Sequence, residues 1–407
     1  MTIRVRKHKS DLLVLFAILL LMAIGLIIIY AIGPMRANVL NSAYGLDYSS
    51  DYFFMHHLLS IALSLGAFFL TFKLVPYEKI SKYSKILMIL ALAASAMLWV
   101  LAKAGSSLAV CENGACRWYR LFGMSFQPAE LLKVSMVLYL ANLISRKKEE
   151  GTIGSFKEFW LPIILVGAIS LLLVVVAQSD LGTGLSLMAI IIGMIFISGV
   201  PLKQFLIMLA VIGVGGVIVI ASSSYRMDRV MTFIGGGDAE TNYHVENAML
   251  AIGTGGMFGV GVGNSVQATG YLPESINDSV FAVLGETFGF VGLVLIIGIF
   301  AIILTRMLKI ADLTEDLERR LVVIGMFSWI AMHVVANVMS MTGLIPVTGV
   351  TLPLLSYGGT SMIFISAGLG VVMQLSCYTS REVKQHEDIS SRRGVRGTHH
   401  TSRGGGA

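Results

Sequence analysis

The chain has 407 residues, of which 56% are hydrophobic and 13% are charged, and its mean hydropathy is +0.80. A soluble domain carries about a quarter charged residues, so this composition excludes an ordinary globular protein and indicates a protein that crosses a membrane several times. The net charge of +6 would suggest nucleic acid in a soluble protein. In a membrane protein basic residues first indicate topology, and we predict no nucleic-acid partner.

Ten apolar segments approach the length of about 20 helical residues that the hydrocarbon core of a bilayer requires. The fourth is the least apolar, because Glu130 and Lys133 lie inside it. The first follows a basic stretch but is too long for a signal peptide and precedes no small-residue cleavage site, so we predict a retained span. The predicted spans lie at about 11–32, 53–74, 83–103, 129–145, 160–177, 182–200, 203–221, 279–305, 321–341 and 360–378.

These spans predict an all-α, polytopic membrane protein with a membrane domain over 11–378. Residues 1–10 form a short N-terminus, and 379–407 form a tail that lacks apolar residues and is predicted to be disordered. With the N-terminus inside, most of the 30 lysines and arginines fall in the inner segments. Basic residues favour the cytoplasmic side, so both termini are predicted to be cytoplasmic.

The outer segment 222–278, between spans seven and eight, is long and rich in glycine, as functional loops often are. It contains Arg226, Arg229 and a glycine run from Gly253 to Gly263. The run lacks the Gly-x-Gly-x-x-Gly register and the P-loop lysine of nucleotide sites. We therefore interpret it as close backbone packing or a buried re-entrant turn.

Charges near the start of the fourth span are candidates for function, because ionisable groups at membrane depth are costly. Glu130 and Lys133 are three residues apart on one helical face and could simply neutralise each other. Arg117, Arg120 and Gln127 precede them at the same outer mouth. Three cations there would suit a lipid-linked pyrophosphate; interfacial snorkelling is the alternative for the two arginines.

Two aspartates directly precede apolar spans. Asp180 lies in the short connection before span six, and Asp278 lies immediately before span eight, where an outer aqueous cavity would meet the membrane. Aspartate is among the best helix N-cap residues, so capping is the alternative to substrate contact for both.

The segment 343–361 carries prolines, glycines and hydroxyls but no charge. It is too apolar for a solvated loop, so we predict that it folds back against the bundle and lines a cavity. Ser356 and Thr360 would suit sugar or phosphate recognition, although helix breaking alone also explains the prolines.

Cys111 and Cys116 flank an Asn-Gly turn signal on the outer side, and we predict a disulfide between them. His56, His57 and His244 show no metal-ligand spacing, so we predict no metal site.

Several of these motifs together resemble the SEDS family of bacterial cell-wall proteins, which includes FtsW, RodA and SpoVE. The version GVTLP at 349–353 is more similar to the FtsW and SpoVE branch. Ser279, Thr287 and His244 depart from the family's usual Phe, Glu and Gln. The motifs that carry the resemblance are FQPAELLK (126–133), DLGT (180–183), AIGTGG (251–256), LPESIND (272–278) and GLIPVTGVTLPLLSYGGTS (343–361).

The resemblance implies a peptidoglycan glycosyltransferase of the bacterial plasma membrane that polymerises lipid II at the outer face during cell division. It also implies a class B penicillin-binding protein and other divisome proteins as partners, besides membrane lipids. Asp278 matches the family's catalytic aspartate.

Transfer from an α-linked pyrophosphate to a β-1,4 bond requires inversion, for which Asp278 would be the base. Lys133, oriented by Glu130, would stabilise the pyrophosphate with Arg117 and Arg120, and Arg226 or Arg229 would stand behind them. The need for a divalent cation stays open. The alternatives are a lipid II flippase and a non-catalytic divisome scaffold.

Overall fold

The computed structural model describes residues 10–112, 115–121, 124–222, 227–228, 230–231, 233, 235 and 239–379. The predicted disorder of the tail falls almost wholly outside these residues. Within them, ten helices are long and apolar enough to cross a membrane. Each coincides with one of the ten predicted spans, so the prediction of an all-α polytopic protein is confirmed.

Twelve α-helices make up the described part of the fold. Helix α3 is a short inner segment, and α9 lies within the predicted loop 222–278. The helices are α1 (Leu12–Tyr44), α2 (Tyr52–Phe69), α3 (Tyr77–Lys82), α4 (Ser84–Lys103), α5 (Pro128–Glu149), α6 (Leu161–Leu171), α7 (Leu181–Ser198), α8 (Leu202–Ala221), α9 (Ala239–Thr254), α10 (Val280–Asp312), α11 (Leu317–Met341) and α12 (Gly359–Ser376).

Two spans continue as π-helix, in which one extra residue widens the turn. Helix α2 continues through Leu70–Leu74, and α6 is flanked by Phe156–Trp160 and Leu172–Ala177. Helix α1 differs most from its predicted bounds, since it continues through Pro34 to Tyr44 rather than ending near residue 32.

Ten crossings return the chain to the face of the bundle on which it began. Asp11, before α1, forms an ion pair with Arg306 of α10, and its backbone amide donates to the Ser376 hydroxyl at the end of α12 (3.3 Å). We call this side the terminal face. The opposite side, which carries residues 104–112, 115–121, 124–127 and 255–279, is the loop face.

Helices α8 and α11 differ strongly in burial. Helix α11 packs against α5, α7 and α10 and buries more than half of its residues. Helix α8 buries none, and its main helical neighbour is α7. A hydrogen bond of 2.9 Å from the Trp160 indole to Gln204 ties α8 to the bundle near the terminal face.

The glycine run packs against a break in α10. Gly289 has φ 67° and ψ −170°, which interrupts the helix, and the loop supplies replacement hydrogen bonds. The amide of Val260 donates to the Glu286 carbonyl at 2.9 Å. A Cβ on Gly259 would lie 2.2 Å from the Thr287 carbonyl oxygen, so no side chain fits there. The prediction of close backbone packing is confirmed.

A three-stranded sheet lies on the loop face between α4 and α5. The strands β1 (Ala109–Glu112), β2 (Ala115–Leu121) and β3 (Met124–Phe126) pair antiparallel in the order β1-β2-β3. Cys111 pairs with Cys116 in the register of the hairpin, and their sulfurs lie 2.00 Å apart, as in a disulfide.

Candidate functional site

The segment 343–358 folds back along the last turns of α11, and we call it the re-entrant loop. Irregular backbone at membrane depth needs partners for its polar groups. A stripe of His333, Asn337 and Ser340, at positions i, i+4 and i+7 of α11, lies buried against it. Each side chain hydrogen-bonds to one carbonyl of the loop, at Thr351 (3.1 Å), Val350 (2.7 Å) and Pro346 (3.2 Å) respectively. The predicted folding back is confirmed.

Asp278 lies between the start of α10 and the re-entrant loop, and only 8% of its surface is exposed. The cap position of α10 is held by Ser279, which makes no side-chain cap hydrogen bond, so the capping alternative fails for Asp278. The Asn337 amide donates to the Asp278 carbonyl at 2.7 Å. A Cβ on Gly349 would lie 3.8 Å from Asp278 Oδ2, which places the carboxylate against the loop.

Two positions that depart from the family pattern contact each other beside Asp278. The Ser279 hydroxyl donates its hydrogen to the Pro273 carbonyl at 2.8 Å, and His244 Nε2 lies 2.7 Å from the Ser279 hydroxyl oxygen. Because serine has only one hydroxyl hydrogen, Nε2 of His244 must donate. This chain of hydrogen bonds fixes the turn that enters α10.

The Asp180 side chain, unlike that of Asp278, caps its own helix. Its Oδ1 accepts from the Thr183 amide and its Oδ2 from the Thr183 hydroxyl, both at 2.9 Å. The Gln127 side-chain amide donates to Oδ2 as well, at 3.0 Å. The capping alternative is therefore confirmed for Asp180.

The start of α7 also touches the re-entrant loop. A Cβ on Gly182 would lie 2.7 Å from a Val350 methyl and 2.9 Å from the Thr348 carbonyl oxygen. Asp180 and Asp278 thus flank the same short piece of loop.

Arg117 supports the turn before Asp180. Its guanidinium donates to the carbonyls of Ser179 (2.6 Å) and Gln178 (3.4 Å), and Ser179 has φ 53°, in the strained left-handed region. Arg120, on the same strand, is exposed. The Arg117 guanidinium therefore binds backbone carbonyls of the protein, whereas Arg120 is accessible from the loop face.

Lys133 occupies a different position from the predicted one at the mouth. Its side chain is fully buried, lies 2.8 Å from Glu130 and 3.4 Å from His333 Nε2, and stands 4.7 Å from the centre of the Trp329 ring. Desolvating two charges is costly unless they pair closely. The pair is an internal neutralised cluster, as the first alternative for Glu130 and Lys133 proposed, and Lys133 does not join Arg117 and Arg120 in one patch.

The predicted hydroxyls also separate by environment. Ser356 is buried and accepts a hydrogen bond from the Leu352 amide at 2.9 Å, so it supports the loop internally. Thr360, half-buried at the start of α12, accepts from the Gln127 amide at 3.4 Å. Burial raises the pKa of the neighbouring Tyr357 phenol, which keeps it protonated. Arg226 and Arg229 lie outside the described residues.

Reasoning from the sequence missed His333, Asn337 and Glu286. The first two belong to the α11 stripe, and their helical spacing within an apolar span was the available signal. Glu286 is buried in α10 and accepts from the Ser265 hydroxyl (2.5 Å) and the Val266 amide (2.9 Å), which holds that turn to the helix. Among the residues with described positions, no group of three or more His, Cys, Asp or Glu is placed to hold a metal ion.

Comparisons with known proteins agree with this architecture. Residues 11–381 match the model of the FtsW/RodA/SpoVE family, described as cell cycle protein. Stage V sporulation protein E of Bacillus subtilis is 33% identical over 377 residues, which cover 92% of this chain and 99% of that protein. A probable peptidoglycan glycosyltransferase FtsW of Enterococcus hirae is 31% identical over 398 residues, covering 93% and 94%.

Solved structures show the same fold. The rod shape determining protein RodA of Thermus thermophilus superposes with a TM-score of 0.62 at 26% identity, covering 90% of this chain and 96% of RodA. A chain from a peptidoglycan synthase complex that coordinates polymerization and crosslinking reaches a TM-score of 0.70 at 24% identity, covering 90% and 97%. From the family match and the whole-length relatives, the chain belongs to the FtsW/RodA/SpoVE family.

Proposed function

We propose that this chain is an inverting glycosyltransferase that polymerises lipid II into β-1,4-linked glycan strands at the outer face of the plasma membrane, in septal synthesis during cell division. The observation that carries this proposal is the placement of Asp278, a largely buried carboxylate held between α10 and the re-entrant loop. Relatives named FtsW carry the description of probable peptidoglycan glycosyltransferase, which supports the reaction class.

The chemistry assigned to Asp278 is that of a general base. The 4-hydroxyl of one sugar attacks the anomeric carbon of the next, a new C–O bond forms, and the bond to the lipid-linked pyrophosphate breaks. The hydroxyl proton passes to the Asp278 carboxylate, and the pyrophosphate leaves with the bonding electrons. A positioned base contributes about 100-fold to 10,000-fold to such a step.

The leaving pyrophosphate requires charge stabilisation rather than a strong acid. Of the predicted cations that lie among the described residues, Arg120 is the one with an exposed side chain on the loop face. We assign it first contact with the pyrophosphate, with Arg226 and Arg229 as further candidates. Lys133 is left out, because its buried ammonium group is already neutralised by Glu130.

For orientation, we propose that the terminal face is cytoplasmic and the loop face external. Basic side chains of the described residues concentrate at the helix ends that lie on the terminal face, which supports a cytoplasmic position for the terminal face. The bond between Cys111 and Cys116 lies at the loop face, where an oxidising exterior would preserve it.

For partners, we propose a class B penicillin-binding protein, other divisome proteins and the membrane lipids. The solved neighbour from a peptidoglycan synthase complex, in which polymerization is coordinated with crosslinking, supports the first of these.

The test is polymerisation by purified protein with its transpeptidase partner, given lipid II in detergent, where nothing needs to cross a membrane. We expect glycan strands from wild type and from Glu274→Gln, and none from Asp278→Asn. Glu274 is a suitable control because it is an exposed carboxylate four residues away, paired with Arg36 at 3.3 Å.

Polymer formation by Asp278→Asn at the wild-type rate would contradict the assignment of the base. Absence of polymer with wild type would favour the flippase or the scaffold. A flippase is disfavoured by the depth of the Glu130–Lys133 pair, which lies only about 8 Å along α5 from its first residue, by the rise of an α-helix. A transport relay would instead place its charges near the bilayer midplane.

A further inference from the structure

We propose that Asn337 is a positioning residue for the base, fixing the distance between Asp278 and the re-entrant loop. The inference rests on the proposed function, since it concerns the same reaction. It assigns Asn337 no contact with substrate. Its role is to hold the backbone on both sides of the place where the Asp278 carboxylate meets Gly349.

The hydrogen bonds of Asn337 distinguish it from the other members of the α11 stripe. Its side-chain nitrogen donates one hydrogen to the Asp278 carbonyl and the other to the Val350 carbonyl, both at 2.7 Å. His333 and Ser340 also bind loop carbonyls, but within the described ranges neither makes a hydrogen bond to the segment that enters α10. Asn337 is thus the member of the stripe that joins the loop to the base.

The Asp278 carboxylate and the re-entrant loop lie close together at this point. Gly349 precedes Val350 and has φ +69°, so its backbone turns sharply just where its Cα faces Asp278 Oδ2. The Asn337 amide therefore binds both Asp278, which carries the carboxylate, and Val350, which follows the glycine that the carboxylate faces. A change in either hydrogen bond alters the separation of the carboxylate from the loop surface.

The remaining atom of the amide indicates that packing alone does not explain this residue. Asn337 is 0% exposed, yet its Oδ1 accepts no hydrogen bond from any residue in the described ranges. A buried acceptor without a partner is costly. Both hydrogens of the amide are used whereas its oxygen is not, so the two donated bonds are the polar contacts that this side chain supplies.

Other contacts hold the turn before α10 independently of Asn337. The Ser279 hydroxyl binds the Pro273 carbonyl, and the Tyr357 amide donates to the Ile276 carbonyl at 2.8 Å. Removing the Asn337 amide should therefore shift Asp278 without unfolding the site. This makes a kinetic test feasible.

The experiment measures kcat and KM for lipid II in the polymerisation assay with the full chain and its partner. We expect Asn337→Ala and Asn337→Leu to lower kcat roughly 100-fold, the effect of a misplacement of about 1 Å, with KM near the wild-type value. Leucine keeps the branch at Cγ and is larger than asparagine, so it removes the donors without creating a cavity. Thermal unfolding in detergent monitors folding of each variant.

Ser340→Ala is the matched control. It removes hydrogen bonds to the same loop, at the Pro346 carbonyl and the Thr348 hydroxyl (both 3.2 Å), but none to Asp278. We expect its kcat to stay close to wild type. An equal loss of kcat in Ser340→Ala would show that general loop support is responsible and would overturn the proposal.

The remaining outcomes are also decisive. Wild-type kcat in Asn337→Leu would overturn the proposal, and so would failure of both Asn337 variants to fold, since that shows a structural role. If either of these outcomes is found while wild type polymerises lipid II and Asp278→Asn does not, only the inference about Asn337 fails and the proposed function stands. If wild type makes no polymer, the proposed function itself fails.

Discussion

Asp180 and Asp278 occupy similar places in the sequence and flank the same piece of the re-entrant loop, yet the fold uses them differently. Both carboxylate oxygens of Asp180 accept hydrogen bonds, from the start of α7 and from Gln127. Asp278 precedes a helix whose cap position is Ser279, and the hydrogen bond from Asn337 holds its backbone carbonyl rather than its side chain.

The difference teaches how to separate a structural carboxylate from a chemical one at a helix start. A side chain that satisfies the amides of its own helix contributes to stability. Under the proposed function, Asp278 is instead the chemical carboxylate: its backbone is held by a neighbouring helix, and its carboxylate faces a glycine. Four experiments can break or sharpen this distinction.

The largest effect is expected on activity. Asp278→Ala should lower the rate of polymerisation by about 1,000-fold, within the range for loss of a general base. Asp180→Ala should lose far less, because its carboxylate is bound to the protein. Rates per folded molecule are compared, and equal losses in the two variants would remove the distinction.

The two glycines on either side of the loop allow the same methyl group to be added at two places. Gly182→Ala would push on Val350 and Thr348 and should cost about 1–3 kcal/mol of stability, as overpacking does. Gly349→Ala should cost about 1–2 kcal/mol for its left-handed backbone and also lower kcat, because the methyl meets Asp278. Unfolding and kcat are measured for both; normal kcat in Gly349→Ala would contradict the placement of the carboxylate.

Stability should respond to the aspartates in the reverse order. Asp180→Ala removes a helix cap and should lower the free energy of unfolding by about 1 kcal/mol, more than Asp278→Ala does. Thermal unfolding in detergent measures both. A larger loss for Asp278→Ala would mean that Asp278 has the structural role.

The smallest effect on activity is expected from the sheet. The double variant Cys111→Ser, Cys116→Ser loosens the hairpin that carries Arg117, whose hydrogen bonds to described residues go to the turn before Asp180. Its unfolding temperature should fall while kcat stays near wild type. A loss of kcat comparable to that of Asp278→Ala would show that the hairpin acts on the base.

Much of the fold could be predicted from hydropathy, because the apolar length of a span is dictated by the bilayer. All ten spans form where the apolar runs lie. The continuation of α1 through Pro34 was missed, since a proline and a nearby Arg36 normally end such a run. Helix α9 was missed because it lies in a segment too polar for a span.

The site was less predictable, because sequence spacing does not give side-chain direction or tertiary partners. Lys133 was placed at the mouth because it lies near the start of its span, but packing against Trp329 and His333 turns it inward. The kink at Gly289 depends on hydrogen bonds from a distant loop. Asp278 was identified through the family motif, whereas its relation to Asn337 required the structure.

The break at Gly289 also has a meaning for depth. Helix α10 has 33 residues, about 50 Å at the rise of an α-helix, whereas the hydrocarbon core is about 30 Å thick. Measured from Arg306 at the terminal face, the helix leaves the hydrocarbon close to the break. In the proposed orientation, the upper part of α10 lifts the carboxylate into the headgroup layer, where the sugars of a lipid-anchored substrate would lie. The length of α10 then sets the height of the Asp278 carboxylate above the hydrocarbon core, so the rate of the proposed reaction should depend on bilayer thickness.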